Sequence, residues 1–434
     1  MNDVLIIGAA RLPIGRFGGA LREVSDFIVA GGMESMSRAA YILPKVRWGK
    51  SEVTMFFELN EKQRLFQKKV REVYEREVCP WVEEYEKKAT FPVFLYPPLG
   101  ANRLLCLRCP EKYGGPGSDK VSECISMEEL NRICAGIGAS IMVHGGLATD
   151  PLLRYGSEDL KQRYLPSAAR GEKIGAFALT EPDAGSDASG IRTTALKHGN
   201  GYRINGSKSF ITNGTICDFL TVAAYTDPIR RGAGINLFIV NRDDPGFSVT
   251  KKLEKLGNHS SDTAELAFDD CFVPEDRRLG EQEGGGLEQL EETLKSGRIT
   301  YGARSTGVGQ ATFDATLAYI KGTRRHGEPL RRSQAIRFIL AEIAMSIEVM
   351  RYVTYRGAWL YDQGLASMKD ASIVKLFCTE SIQKIVQKAM AIQKNMGLMM
   401  ENPIQRFLRD ARLFKIPEGT SEIQHLVIAR ELGI

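Results

Sequence analysis

The period of the apolar residues changes twice along the chain. After Asn60, the residues Leu65, Phe66, Val70 and Val73 recur at three- and four-residue steps, the spacing of a helix that buries one face. Asn60 stands where an N-cap is wanted, with a short side chain suited to the first unpaired amides. Further helices are expected over 127–144 and 158–165, with the glycine-rich stretch 111–117 as a loop between helices.

Beyond Gly171 the period falls to two. Tyr202, Ile204, Phe210 and Ile211 around Asn205-Gly206 predict a hairpin. Residues 219–225, 235–240 and 263–268 predict strands, the last with Ala264, Leu266 and Phe268 on one side. From Leu287 the pattern is helical again. Ile336, Leu340, Ile343, Ile347 and Met350 form one stripe, and Ile373, Leu376 and Phe377 a second within 371–390. Successive helices with broad apolar faces call for a bundle, within one chain or shared between subunits. The expected fold is therefore α+β: a helical domain over 51–172, a β domain over 173–283 and a C-terminal helical domain over 284–434. The first fifty residues differ. A short apolar run at Val4 to Ile7 is followed by Gly15, Gly18, Gly19, Gly31 and Gly32, and a segment of that length cannot bury a core of its own.

Composition narrows the function classes only slightly. Of 434 residues 43% are apolar and 26% charged, the balance of a globular protein. The net charge of +5 is the small remainder of 58 basic and 53 acidic side chains, too little to select a nucleic acid or a membrane as partner. No run of apolar residues is long enough to span a bilayer. The N-terminus lacks a basic leader and a cleavage pattern, so a cytoplasmic location is the default expectation. Eight cysteines in a chain of this size do not form a disulfide framework, and Cys106-x-x-Cys109 has no second pair to complete a metal site, so none is expected.

Four segments carry candidate chemistry. Residues 177–187 set Thr180 and Ser186 about a turn containing Pro182 and Gly185. Such a turn presents hydroxyls and backbone amides together, as a phosphate or a flavin edge requires, although an ordinary surface loop reads the same way. In residues 208–214, Phe210 and Thr212 share strand parity, which suits a heterocycle and suits plain sheet packing equally. Lys321, Arg324, Arg325, His326, Arg331, Arg332 and Arg337 make a basic segment ahead of a helix, fit for a diphosphate or for solvent. Finally, Pro417 and Gly419 hold the chain out of helix around Glu418, and Ser421 with Gln424 matches a capping box for the helix that follows. A carboxylate there is placed to enter a cleft. It removes a thioester α-proton only if desolvation raises its pKa and the enolate is stabilised as it forms.

From about residue 55 onward these segments, with 261–266 and 425–432, stand in the order found in acyl-CoA dehydrogenases, and the chain resembles that family. The resemblance implies a helical domain, a middle β domain and a C-terminal four-helix bundle. It also implies FAD as cofactor, an acyl-CoA thioester as substrate, trans-2-enoyl-CoA as product, electron-transfer flavoprotein as acceptor and a homotetramer. By it Glu418 is the base, its backbone amide helps polarise the thioester carbonyl, and the flavin takes the β-hydride. Thr180, Ser186, Phe210, Thr212 and Gln334 correspond to cofactor contacts. Ser186, Arg298 and Gly419 correspond to substrate contacts, Arg298 lying in the helix that faces the base. The family's alternative base position falls in 294–297, where this chain has no acid.

Some positions depart from the family pattern. Thr323, His326 and Gly327 stand where an Arg-x-x-Phe-Gly motif is usual, Ala391, Lys394 and Asn395 where a glutamine and two glycines are usual, and Pro417 replaces a tyrosine. A lost charged hydrogen bond to a diphosphate costs about 1.5–3 kcal/mol unless Arg324 or Arg325 replaces it. These departures motivate an alternative: a flavin-deficient acyl-CoA-binding or scaffolding homologue. The first fifty residues resemble something else, the start of a thiolase at 4–19 and a later thiolase segment at 30–49, without the stretch that carries the thiolase nucleophile. A non-catalytic remnant is expected there.

Overall fold

The computed structural model describes residues 59–434 and, ahead of them, the short antiparallel hairpin of Arg47–Trp48 with Ser51–Glu52. The thiolase-like reading therefore lies outside the described residues. The chain divides at Leu59/Asn60, and residues 60–434 form one unit.

Helix α1 (Glu61–Glu77) opens as its sequence predicts. The Asn60 side chain accepts from Gln63 N and the Gln63 side chain accepts from Asn60 N, a complete capping box. The long helix expected over 127–144 is instead two, α2 (Lys120–Ile133) and α3 (Ala135–Met142), broken at Cys134, whose backbone is extended. The break lets Gly136 lie against Ser260 and Glu86; a Cβ at 136 would sit 2.3 Å from Ser260 Oγ. Helix α4 (Glu158–Ala169) runs a turn past its expected end with Pro166 inside it.

The middle region is a seven-stranded sheet of β1 (Gly175–Ala178), β2 (Thr194–His198), β3 (Gly201–Thr212), β4 (Phe219–Tyr225), β5 (Ile235–Asn241), β6 (Phe247–Lys252) and β7 (Thr263–Pro274). Its order is β1-β4-β2-β3-β7-β6, with β5 on β4. Ile204, Ile211, Leu220, Val222, Phe238, Val240 and Leu266 form its core. No hairpin forms at Asn205-Gly206. That pair lies inside the twelve-residue β3 as a bulge against β7, and the chain reverses earlier, at Gly199-Asn200. The Asn205 side chain is bonded across the sheet, donating to Asp270 Oδ1 at 3.0 Å and accepting from Asp270 N at 2.8 Å. Gly206, at φ 149°, leaves space that Thr193 fills. A turn pair is thereby used as a bulge, because its side chain finds a partner in the adjacent strand.

The C-terminal region is a bundle around α5 (Gly286–Gly322), packed on by α2, α6 (Gln334–Asp362) and α7 (Met368–Gln393), with α8 (Pro403–Leu413) and α9 (Ser421–Glu431) completing it. Over 296–309 α5 is buried on every side. Its glycines explain this: a Cβ at Gly302 would lie 2.4 Å from Thr354 Oγ1, and one at Gly307 would lie 2.2 Å from the Glu128 carbonyl. Hydroxyls at Thr293, Ser305, Thr306, Thr312 and Thr316 bond back to carbonyls of the preceding turn, so none is left unpaired in the core. On α6 the expected stripe is buried at Ile343, Ile347 and Met350. On α7 the expectation fails. Ile373 and Phe377 are exposed, and the core face is Val374, Cys378, Ile382 and Ile385, interleaved with buried Ser372, Lys375 and Thr379. Buried polar residues on the inner face had hidden the true stripe.

Within the β region, Lys208 and Glu181 form a sealed ion pair, Nζ to Oε1 at 2.7 Å with neither side chain more than 6% exposed. Lys208→Met removes the counter-charge of that carboxylate, leaving it the Arg192 and Thr193 amides and the Thr193 hydroxyl, and is expected to cost about 3 kcal/mol, read as a lower urea midpoint.

Candidate active site

Glu418 stands between α8 and α9, in a backbone that favours glycine: φ is 58° at Glu418 and 97° at Gly419. Side chains hold it there. Arg298 Nε donates to the Glu418 carbonyl at 3.1 Å, and Gln424 Nε2 donates to the carbonyls of Glu418 at 3.2 Å and Gly419 at 2.9 Å. The expected Ser421–Gln424 capping box is absent. Thr420 is the N-cap, accepting from Ile423 N, while Ser421 Oγ donates to Glu380. Gln424 is fully buried and spends its amide on the loop instead.

Glu418 is half-buried as a residue, but both carboxyl oxygens are sealed and without a hydrogen-bond partner. They rest on Gly297 of α5, where a Cβ would come within 2.0 Å of Oε2. Burial pushes the carboxyl up to about 8, against the opposing pull of Arg298, Lys120, Arg304 and Lys375. A buried, unpaired acid carries a cost of about 1–3 kcal/mol, and such groups concentrate at reactive sites. Arg298 does not pair with this carboxyl; its Nη1 is bonded to Met368 Sδ and Ser372 Oγ. Immediately before Gly297, Ser296 Oγ accepts from Lys120 Nζ at 2.9 Å and Arg108 Nη1 at 2.7 Å. Sequence reasoning marked 294–297 only as a stretch without an acid, and missed Lys120 and Arg108. The available signal was a run of small residues in 296–309, too dense for a plain amphipathic helix.

The sheet brings two further predicted segments together. Ser209 N donates to the Thr180 carbonyl at 2.8 Å, and Lys208 Nζ to the Leu179 carbonyl at 3.0 Å. A second register shift between Lys208 and Ile211 sets Phe210 at φ 60° with the residue 69% exposed, while Ile211 is buried and Thr212 half-buried. Ser186 is exposed in a loop closed by Asp187, whose side chain accepts from Ser189 N and Oγ. A large apolar ring held out of the core on strained backbone suits a planar heterocycle that would cover it. In that respect the residues present fit a flavin ring.

The remaining predicted positions are less telling. Gln334 is the first residue of α6 and is exposed. The basic segment contains a two-stranded hairpin with His326 at φ 50° and Gly327 at φ 80°, in which Arg324 Nε bonds the Gly327 carbonyl. Ala391, Lys394 and Asn395 are exposed, and Lys394 has φ 51° with ψ −128°, a conformation natural to glycine. Among the described residues no group of three or more His, Cys, Asp or Glu side chains is placed for a metal, and the eight thiols are free. His144 does approach Cys106, Nε2 to Sγ at 3.7 Å, but its nitrogens face Gly175 N and the Ala168 carbonyl and burial lowers its pKa to about 4.

Comparison with known proteins decides the kinship. Models of the N-terminal, middle and C-terminal domains of acyl-CoA dehydrogenase match residues 60–172, 176–271 and 284–433. An acyl-CoA dehydrogenase of Bacillus subtilis is 40% identical over 86% of this chain and 98% of its own length. The chain belongs to the acyl-CoA dehydrogenase family. The human mitochondrial short-chain specific acyl-CoA dehydrogenase is 38% identical over 86% of this chain and 91% of its own. The solved butyryl-CoA dehydrogenase of Megasphaera elsdenii superposes with a TM-score of 0.85 at 35% identity, covering 88% of this chain and all of that one. In acyl-CoA dehydrogenase terms the described residues span the three domains, and the matched models begin at residue 60.

Two outcomes follow from the seat on Gly297. Gly297→Ala displaces only the end of a flexible side chain, so the fold is expected to survive with Tm nearly unchanged while dehydrogenation falls about 100-fold. The second concerns pH. The Glu418 carboxyl titrates near 8 in the fold, above its ordinary 4.5, so the stability it contributes is full below about 4.5 and is lost as pH rises through about 8. Glu418→Gln is therefore expected to exceed the parent by at least about 1 kcal/mol near pH 9 and to match it near pH 4 in urea unfolding.

Proposed function

We propose that this acyl-CoA dehydrogenase oxidises the α–β bond of an acyl-CoA thioester with Glu418 as the base. The observation that carries the reading is the sealed, unpartnered Glu418 carboxyl on Gly297. Thr180, Ser186, Phe210, Thr212 and Gln334 would hold FAD, and Ser186, Arg298 and Gly419 would contact the substrate. FAD, when bound, supplies a two-electron acceptor for the β-hydride. The protein's own work is on the proton. Desolvation makes Glu418 a stronger base than a carboxylate in water, the surrounding cations keep its ionised form accessible, and the Glu418 backbone amide would polarise the thioester carbonyl. Arg298, bonded to the Glu418 carbonyl, orients the loop.

The finer assignments rest on the same reading. Electron-transfer flavoprotein would take the electrons, and the location would be cytoplasmic. A homotetramer is supported by exposed Phe338, Met345 and Val349 on α6 and Ile373 and Phe377 on α7. Residues 1–50 would be a thiolase-like remnant that adds no chemistry. A second reading, the flavin-deficient acyl-CoA-binding or scaffolding homologue, is favoured by Lys394 in its glycine-like conformation and by Thr323, His326, Ala391 and Asn395.

Flavin stoichiometry after reconstitution separates the two: one FAD per chain supports the enzyme, and none together with acyl-CoA binding supports the scaffold. In the loaded protein, Glu418→Gln is expected to bind acyl-CoA within about threefold of the parent and to lower the rate of flavin reduction by 10²–10⁴-fold, roughly the share of a positioned base. Reduction at the parent's rate would assign the proton to another group.

A further inference from the structure

Lys375 is one of the most deeply buried cations in the described residues, with no exposed surface at all. Its place on α7 is specific. Nζ donates to the Gly419 carbonyl at 2.6 Å and to the Lys415 carbonyl at 3.1 Å, two points on either side of Glu418. The same helix holds this loop elsewhere. Ser372 accepts from Arg298, which in turn bonds the Glu418 carbonyl, and Glu380 accepts from Ser421 Oγ at 2.7 Å and Lys415 Nζ at 2.6 Å. Glu380 also spans the loop, through the side chains of Lys415 and Ser421, whereas Lys375 holds its backbone carbonyls. Glu418 occupies positive φ, so its own backbone preference does not keep the turn closed.

We infer that Lys375 is a positioning residue for Glu418, fastening the loop across the Lys415 and Gly419 carbonyls so that the carboxyl is pressed onto Gly297. The inference rests on the role proposed above for Glu418. Charge reinforces geometry, since the ammonium is one of four cations that oppose the rise of the Glu418 pKa, with Arg298, Lys120 and Arg304. Lys375 itself faces Glu418, Glu380, Glu422 and Arg298, and burial draws its pKa down to about 8.

The test follows the carbonyl stretch of protonated Glu418 by infrared difference spectroscopy across pH, in the full-length protein, with Glu418→Gln identifying the band. In Lys375→Met the band is expected to titrate about one unit higher than in the parent, and in the flavin-loaded protein kcat is expected to fall at least about tenfold with KM within threefold. Lys375→Gln keeps an N–H for the Gly419 carbonyl without the charge, and is expected to recover most of kcat while the band stays shifted. An unshifted band with unchanged kcat in Lys375→Met overturns the inference even if Tm falls, because that is the signature of a merely structural lysine. Should the Met variant fail to fold, an unshifted band in Lys375→Gln overturns it equally. The band requires neither flavin nor turnover. A shifted band in a chain that does not dehydrogenate acyl-CoA would sink the proposed function and leave Lys375 in its role; an unshifted band in an active chain would do the reverse.

Discussion

A carboxyl group lying where a side chain is missing sets the terms for the rest of this molecule. Glu418 rests on Gly297 without a single hydrogen bond to its oxygens, an arrangement that water would dissolve at once and that only tight packing keeps. The long helix α5 provides the packing. Its glycines and hydroxyls admit neighbouring backbones to within contact distance, so the seat for the acid is as rigid as the bundle itself. The three tethered carbonyls of the loop then decide where the acid can go.

Much of this was legible from residue spacing, because long elements with one period announce themselves. The helix after Asn60, strands β4 and β5 and the stripe on α6 follow from side-chain alternation and from a cap whose chemistry is local. The loop at Glu418 was also legible, since Pro417 and Gly419 forbid helix on either side. What stayed hidden required knowledge of a distant partner. Asn205-Gly206 has the composition of a turn, and only Asp270 in another strand makes it a bulge. Ser421 and Gln424 have the composition of a capping box, and only the loop carbonyls draw Gln424 away. The inner face of α7 carries a lysine, a serine and a threonine, so a hydrophobic count selected the wrong side. Gly297 gives no signal by itself, and its meaning comes from an acid more than a hundred residues later.

The two groups of residues proposed for the site are built on different principles. The C-terminal group concentrates charge in a closed interior, where each cation alters the proton affinity of its neighbours. The β group is open: Phe210 is displayed on a bulge with little to cover it. In the proposed reaction the interior would serve the proton and the displayed ring the cofactor.

The buried contact between Lys208 and Glu181 has a mechanical corollary. The lysine precedes the bulge by two residues and the glutamate follows Thr180 directly, so the turn and the displayed ring share one anchor that neither can release alone. Both segments should breathe as a single cooperative unit in amide exchange. Whatever settles against the ring would quiet the turn as well, and the apolar and hydroxyl-bearing edges of the β group would open and shut together.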